Sequence, residues 1–187
     1  ILLPAYHGIM ATAAGDMAIP KGTWYGNIFV MLRQMLVFTK PITNQIFDGG
    51  VNLYCGMLAV LTMFLYLFVK EHPWKKFRKY VLLVLLVISF NHGTLNYIWH
   101  GMHDQYGIPN RFSFVFIFVL LVMAYDAVQS ITEIDIYFVI SSILLAGAFA
   151  FACKQQAGAT IGKYTLPASL VLLVIYGVTC CLRTSKE

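Results

Sequence analysis

Nineteen consecutive residues, Val51–Val69, carry no charge, and the next ten, Lys70–Lys79, carry five of the chain's thirteen lysines and arginines. About twenty apolar residues in helical form cross the roughly 30 Å hydrocarbon core of a bilayer, and basic residues just beyond such a run stay on the cytoplasmic side. The pair of segments therefore restricts the chain to membrane folds and orients it, with Val51–Val69 running inward and loop 70–79 cytoplasmic. Composition agrees: 59% of residues are hydrophobic and 11% charged, against about 45–50% and about 25% in soluble chains. The net charge of +5 is concentrated in one loop rather than spread over a soluble face, which argues against nucleic acid as a partner.

Read in order, Ile1–Tyr6 is expected to be the tail of a span, so the chain reads as a piece of a larger protein. Residues 1–50 then comprise that span end and an extracytoplasmic segment. Within it Ile28, Met31, Leu32, Met35 and Leu36 recur at helical spacing, with Arg33 and Gln34 on the other side. This predicts an amphipathic helix over Tyr25–Phe38, lying in the interface or packed on the tops of neighbouring spans. Residues 51–187 read as one membrane domain: Val51–Val69, a second span from Tyr80, then Arg111–Val128, Ile134–Cys153 and Tyr164–Leu182. The fold class expected is all-α, a polytopic transmembrane bundle of about five spans plus the interfacial helix. The C-terminus would then be cytoplasmic, although the inner loop Gln129–Asp135 holds two acids and no basic residue. Asp126 falls near the inner end of the third span, where pairing or capping is the expected role. Cys55, Cys153, Cys180 and Cys181 fall in spans without any CxxC pair, and read as small apolar thiols.

The polar residues concentrate in Asn91–Asp126. If the second span continues as one helix, His92, Asn96, His100 and His103 are spaced by four, four and three, which places them on a single stripe with Trp99. Gly107-Ile108-Pro109 reverses the chain, and Arg111 opens the next span. Polar side chains in a span cost a few kcal/mol each on insertion scales and are kept where they face a cavity or a partner. Arg111 has the planar fork that grips a phosphate bidentately, and the helix N-terminus behind it offers unbonded N–H groups. His100 and His103 can donate bonds or trade protons near neutral pH. Asn91 and Asn96 suit sugar hydroxyls, and Trp99 or Tyr106 a sugar face. The candidate substrate-binding residues are thus Arg111, His100, His103, Asn96, Trp99 and His92. A divalent metal on His100, His103 and Asp104 is a weaker alternative without an HExxH-type pattern, and no cofactor is predicted. Helix-to-helix bonding by His92 and Asn96, with Trp99 anchored at the interface, is the structural alternative.

The run FNHGTLNYIWHGMHDQYGIPNRFSFVFIFVLLVMAY resembles the YfhO family of bacterial multi-pass membrane proteins. The likeness is carried by Asn96, Trp99, His100 and Gly101, then by Pro109, Arg111, Ser113 and Phe114, with Leu2–Pro4 and Tyr54–Gly56 also similar. It covers roughly residues 1–130, and the remainder only by hydropathy. The resemblance implies a glycosyltransferase of the GT-C type in the bacterial plasma membrane. Such an enzyme would move a sugar from a polyprenyl-phosphate carrier to a cell-envelope polymer, such as lipoteichoic acid, on the outer face. It also implies a catalytic acid in a first outer loop upstream of these residues. Asp16, Asp48 and Asp104 lie on the right side, but nothing promotes them to that role. The expected partners are the carrier-linked sugar, the glycopolymer acceptor and membrane lipids. A lipid or solute transporter, or a non-catalytic scaffold, are the readings from other classes.

Overall fold

In the computed structural model the described residues are Pro4, His7, 19–42, 50–102, 110–157 and 162–184. They contain seven α-helices: α1 (Ile28–Leu32), α2 (Met57–Leu65), α3 (Pro73–Asn91), α4 (Gly93–Trp99), α5 (Ser113–Gln129), α6 (Ile136–Ala157) and α7 (Thr165–Thr184). The architecture among these residues is all-helical. Two segments, Ile136–Gln156 and Thr165–Thr184, are long and apolar enough to cross a membrane, and Met57–Phe68 and Ser113–Gln129 are apolar but shorter.

Specific contacts fix how the helices alternate. Phe68, just past α2, stacks on Phe138 at the start of α6, with ring centroids 4.5 Å apart. Lys79, early in α3, meets Asp126, late in α5, at 2.6 Å. Thr184 at the end of α7 donates to the Ile131 carbonyl before α6 at 3.2 Å. These contacts gather one end of the bundle around Lys79. At the other end the Asn27 amide bonds Gln156, late in α6, at 3.2 Å, and the Val37 N–H bonds Ser169, early in α7, at 3.2 Å. Successive long helices therefore run antiparallel.

The α6–α7 pair shows how the sequence sets the packing. Val139, Ser142, Ala146, Ala150 and Cys153 form the buried face of α6, and Thr165, Ser169, Leu173, Gly177 and Cys180 that of α7. Both sets step by three or four residues, one helical stripe each. Small residues at that seam let backbones approach closely. At Gly177 a Cβ would lie 2.3 Å from Ile143 Cδ1 and 2.7 Å from its Cγ1, so the side chain of Ile143 occupies the space that glycine leaves. The outward faces carry Leu144 and Val174, 68% and 55% exposed. A helix apolar all round, with its outer face uncovered, suits lipid rather than water.

Three expectations are corrected. Helix does not begin at Val51: α2 starts only at Met57, because Gly56 takes φ +100 and cannot join a helix. The preceding backbone is packed instead, with Val51 and Leu53 1% and 0% exposed. Non-helical backbone at membrane depth is tolerated when protein covers it. The amphipathic segment is shorter than expected, since α1 covers Ile28–Leu32 and a 3₁₀ turn covers Arg33–Met35. Met31, Gln34, Met35 and Leu36 are buried, so it packs on the bundle. Third, the second span is not one continuous helix: it breaks at His92, which takes φ −119 and ψ 119 between α3 and α4.

At the Lys79 end a polar clamp joins three elements. Lys79 Nζ donates to Asp126 at 2.6 Å and to the Tyr66 hydroxyl at 2.7 Å, and lies 3.5 Å from Glu71. Tyr66 in turn donates to Glu71, and Lys75 approaches Glu71 at 3.7 Å. Burial pushes the Glu71 carboxyl up, but the Tyr66 hydroxyl and the lysine charges outweigh it and hold the group below its ordinary value. Burial likewise pulls the Lys79 ammonium down, and its bonds to Asp126 and Tyr66 raise it above the ordinary lysine range. The expected pairing of Asp126 is thus made with Lys79.

Candidate functional site at the His100 end

The break at His92 explains most of the local geometry. A helix interrupted there leaves N–H and C=O groups that need partners, and the segment 23–26 supplies them. Tyr25 N–H donates to the Asn91 carbonyl and Gly93 N–H to the Thr23 carbonyl, both at 2.9 Å. The Asn91 side chain accepts from Gly26 N–H at 3.1 Å and donates to the Gly26 carbonyl at 2.8 Å. Trp24 pairs with His92 as an isolated antiparallel bridge, and its ring meets the imidazole edge-on at 4.9 Å. His92 Nδ1 caps α4 by accepting from Leu95 N–H at 3.4 Å. Gly93 allows the approach, since a Cβ there would sit 3.1 Å from Thr23 Oγ1.

Asn96, 2% exposed, donates to the Asn110 side chain. Asn110 takes φ +54, a conformation asparagine tolerates, and its own amide donates to the Gly50 carbonyl at 2.8 Å. This relay ties α4, the approach to α5 and the approach to α2 together. His100 Nδ1 lies 2.8 Å from the Asn96 carbonyl, its Nε2 is buried, and its ring stands edge-on to Phe112 at 5.7 Å. Trp99 stacks on Phe112, centroids 5.2 Å apart and planes within 13°, and remains 41% exposed. Arg111 is exposed and stands immediately before Phe112, the N-cap of α5. No side chain caps that helix start.

Of the candidate residues, Trp99, His100 and Arg111 are therefore brought around Phe112. His92 sits at the helix break, where its Nδ1 caps α4 at Leu95 and its ring meets Trp24, so the single continuous helix on which spacing placed the stripe is interrupted there. Asn96 faces Asn110. His103, with Asp104, Tyr106 and Pro109, lies outside the described residues, as do Asp16 and Asp48. Among the described residues no three His, Cys, Asp or Glu side chains gather as metal ligands. Sequence reasoning missed Trp24, Asn110 and Gly50. Asn110 follows the Gly107-Ile108-Pro109 turn signal in the sequence, but nothing there named Asn96 or Gly50 as its partners, and nothing local to Trp24 pointed to His92, 68 residues on. An apolar cavity of about 370 Å³ lies along the bundle, with Leu32, Met35, Phe64, Leu83, Val87 and Phe149 in its wall.

A family model described as bacterial membrane protein YfhO matches residues 1–186. The chain matches no curated protein and no solved structure.

Proposed function

Because this chain belongs to the YfhO family of bacterial membrane proteins, we propose that it acts as a membrane glycosyltransferase on a polyprenyl-phosphate-linked sugar, with a cell-envelope glycopolymer such as lipoteichoic acid as acceptor. In this reading α2, α3 with α4, α5, α6 and α7 make five passes, the Lys79 end is cytoplasmic and the His100 end faces outward. The observation that carries it is the exposed Arg111 at the uncapped start of α5, beside the Trp99–Phe112 stack. A guanidinium at a helix N-terminus is suited to a phosphate, and a half-exposed indole to a sugar face. The leaving phosphate gains negative charge as the glycosidic bond breaks, so a fixed cation there favours the transition state over the ground state. The apolar cavity accommodates part of the isoprenoid tail. His100 and the Asn96–Asn110–Gly50 relay hold the platform, and His92 holds the helix break beneath it. The acceptor base is assigned to none of these residues.

The test is transfer of radiolabelled sugar from polyprenyl phosphate by the full-length protein in vesicles. Arg111→Ala is expected to lose most of the activity, at least tenfold, with membrane insertion unchanged. Arg111→Lys is expected to recover only part of it, since lysine lacks the fork. Wild-type turnover in Arg111→Ala removes the residue from the mechanism, and carrier movement across the bilayer without sugar transfer favours the transporter.

A further inference from the structure

The basic side chains of Lys70–Lys79 divide into two groups. Two turn into the protein: Lys79 binds Asp126, and Lys76 Nζ donates to the Leu67 carbonyl at 2.9 Å. The other three, Lys70, Lys75 and Arg78, are exposed. Lys75 is loosely paired with Glu71 at 3.7 Å, and among the described residues Lys70 and Arg78 form no ion pair. Arg78 Nε donates to the Trp74 carbonyl one turn back at 3.3 Å, which fastens the guanidinium to the turn that bears the indole. Trp74 and Phe77, 65% and 57% exposed, meet edge-on with centroids 5.6 Å apart. Below them Val81, Val84 and Leu85 are exposed as well. Positions 74, 77, 78, 81, 84 and 85 share one face of a helix. The outward stripe of α3 is therefore basic and aromatic over its first two turns and aliphatic over the next two.

We infer that this stripe is a binding site for an anionic glycerophospholipid of the leaflet at the Lys79 end. Arg78, with Lys70 and Lys75, takes the phosphate and the anionic headgroup, the Trp74–Phe77 pair lies at the glycerol level, and an acyl chain runs along Val81, Val84 and Leu85. The dimensions agree, since Arg78 and Leu85 are roughly 10 Å apart along the axis at 1.5 Å per residue. Holding a loop on one side of a membrane requires only enough basic residues, whichever way they point, so topology alone does not account for a guanidinium fastened beside two uncovered rings. A fork of N–H donors grips a phosphodiester bidentately, and aromatic rings lodge at the headgroup level. A zwitterionic lipid brings a cation of its own, which Lys70 and Lys75 repel. The site lies at the opposite end of the bundle from Arg111 and takes a bulk bilayer lipid, so it does not rest on the transferase reading.

The test is mass spectrometry of the intact full-length protein released from detergent, after equilibration with phosphatidylglycerol or with phosphatidylcholine of the same acyl chains. Each basic residue near an anionic lipid surface is worth roughly fivefold in affinity, and the wild type is expected to retain phosphatidylglycerol at least tenfold over phosphatidylcholine. Lys70→Gln with Arg78→Gln leaves Lys75, Lys76 and Lys79 in the loop, and is expected to lower that preference at least fivefold with the lipid-free melting temperature unchanged. Trp74→Ala with Phe77→Ala keeps every charge, and is expected to lower phosphatidylglycerol retention severalfold. Arg111→Ala is expected to leave retention intact, which separates this site from the proposed anion site. Equal retention of the two lipids by the wild type overturns the proposal and leaves the cations to an acidic protein segment or to solvent. Full preference in the Lys70→Gln, Arg78→Gln variant also overturns it. Undiminished retention in the Trp74→Ala, Phe77→Ala variant reduces the site to diffuse charge, and displacement of the lipid by an equal concentration of glycerol 3-phosphate or inorganic phosphate makes it a site for soluble phosphates; either result overturns it.

Discussion

Lys79 shows how one side chain decides the geometry of a membrane protein's end. Its ammonium joins Asp126 on α5 to Tyr66 past α2 and to Glu71 in the loop, and stands 4.6 Å over the Tyr66 ring. Lys79→Met keeps most of the aliphatic stem and removes the donor, taking the ammonium away from Asp126 while Glu71 keeps Tyr66 and Lys75. A loss of about 1–3 kcal/mol is expected, the range for leaving a partly buried polar group unmatched, and thermal unfolding in detergent measures it. The pH dependence has a definite sign. Glu71 titrates lower in the fold than in the open chain, so its contribution is present above the ordinary carboxylate range and is lost as pH falls through the lowered value. Lys79 titrates higher in the fold, so its contribution is present below the ordinary lysine range and is lost as pH rises through the raised value. The clamp is therefore strongest around neutrality. Melting temperature is expected to fall on acidification in the wild type and to fall less steeply in Glu71→Gln, and parallel curves for the two proteins would assign the acid limb to other groups.

At the level of elements, the informative feature is the interruption between α3 and α4. The composition of Asn91–Trp99 supports a helix throughout, and spacing alone made one of it. The break is set from outside the segment, by the main chain of residues 23–26 competing for the Asn91 carbonyl and the Gly93 N–H, and a pairing across such a sequence distance leaves no local periodicity. That Asp126 would pair or cap was legible because it sits near a span end, where unpaired charge is costly, whereas Lys79 as its partner, 47 residues away, was not. The late start of α2 was hidden because Val51–Gly56 is as apolar as a helix. His92→Ala is expected to cost about 1 kcal/mol through the lost cap and to speed hydrogen exchange at Tyr25 and Gly93 specifically. Exchange unchanged at those two amides would place the restraint in Asn91 instead. At the α6–α7 seam, Gly177→Ala pushes a methyl into Ile143, and overpacking of this kind costs about 1–3 kcal/mol. Ile143→Ala in the same chain is expected to return most of that loss, because the two changes share one space. Additive losses would mean that the helices separate rather than repack.

For the whole molecule, the antiparallel course of the long helices puts the Lys79 clamp and the Arg111–Trp99 cluster at opposite ends, and everything proposed about the carrier lipid depends on which end meets the cytoplasm. The five basic residues of Lys70–Lys79 bias that loop inward, while the acidic loop after α5 offers no support, so the first loop carries the orientation nearly alone. Thiol labelling resolves it. The chain's own thiols, Cys55, Cys153, Cys180 and Cys181, are first replaced by alanine or serine, and a single cysteine is then placed at Lys75 or at Met102, whose side chains are 59% and 50% exposed. A membrane-impermeant maleimide is expected to label position 102 in intact cells and position 75 only after permeabilisation. The opposite pattern puts Arg111 inside, where a carrier-linked sugar destined for the envelope is not consumed, and with it fails the assignment of the anion site, even though the fold and the clamp stand unchanged. Labelling of both positions from outside would mean that α3 does not cross the membrane. That outcome is the physically instructive one, since Lys70–Lys79, which leads into α3 and forms its first turns, carries five basic residues and one acid, and only the Tyr80–Asn91 portion of α3, extended by α4 beyond the break, supplies apolar length for a crossing.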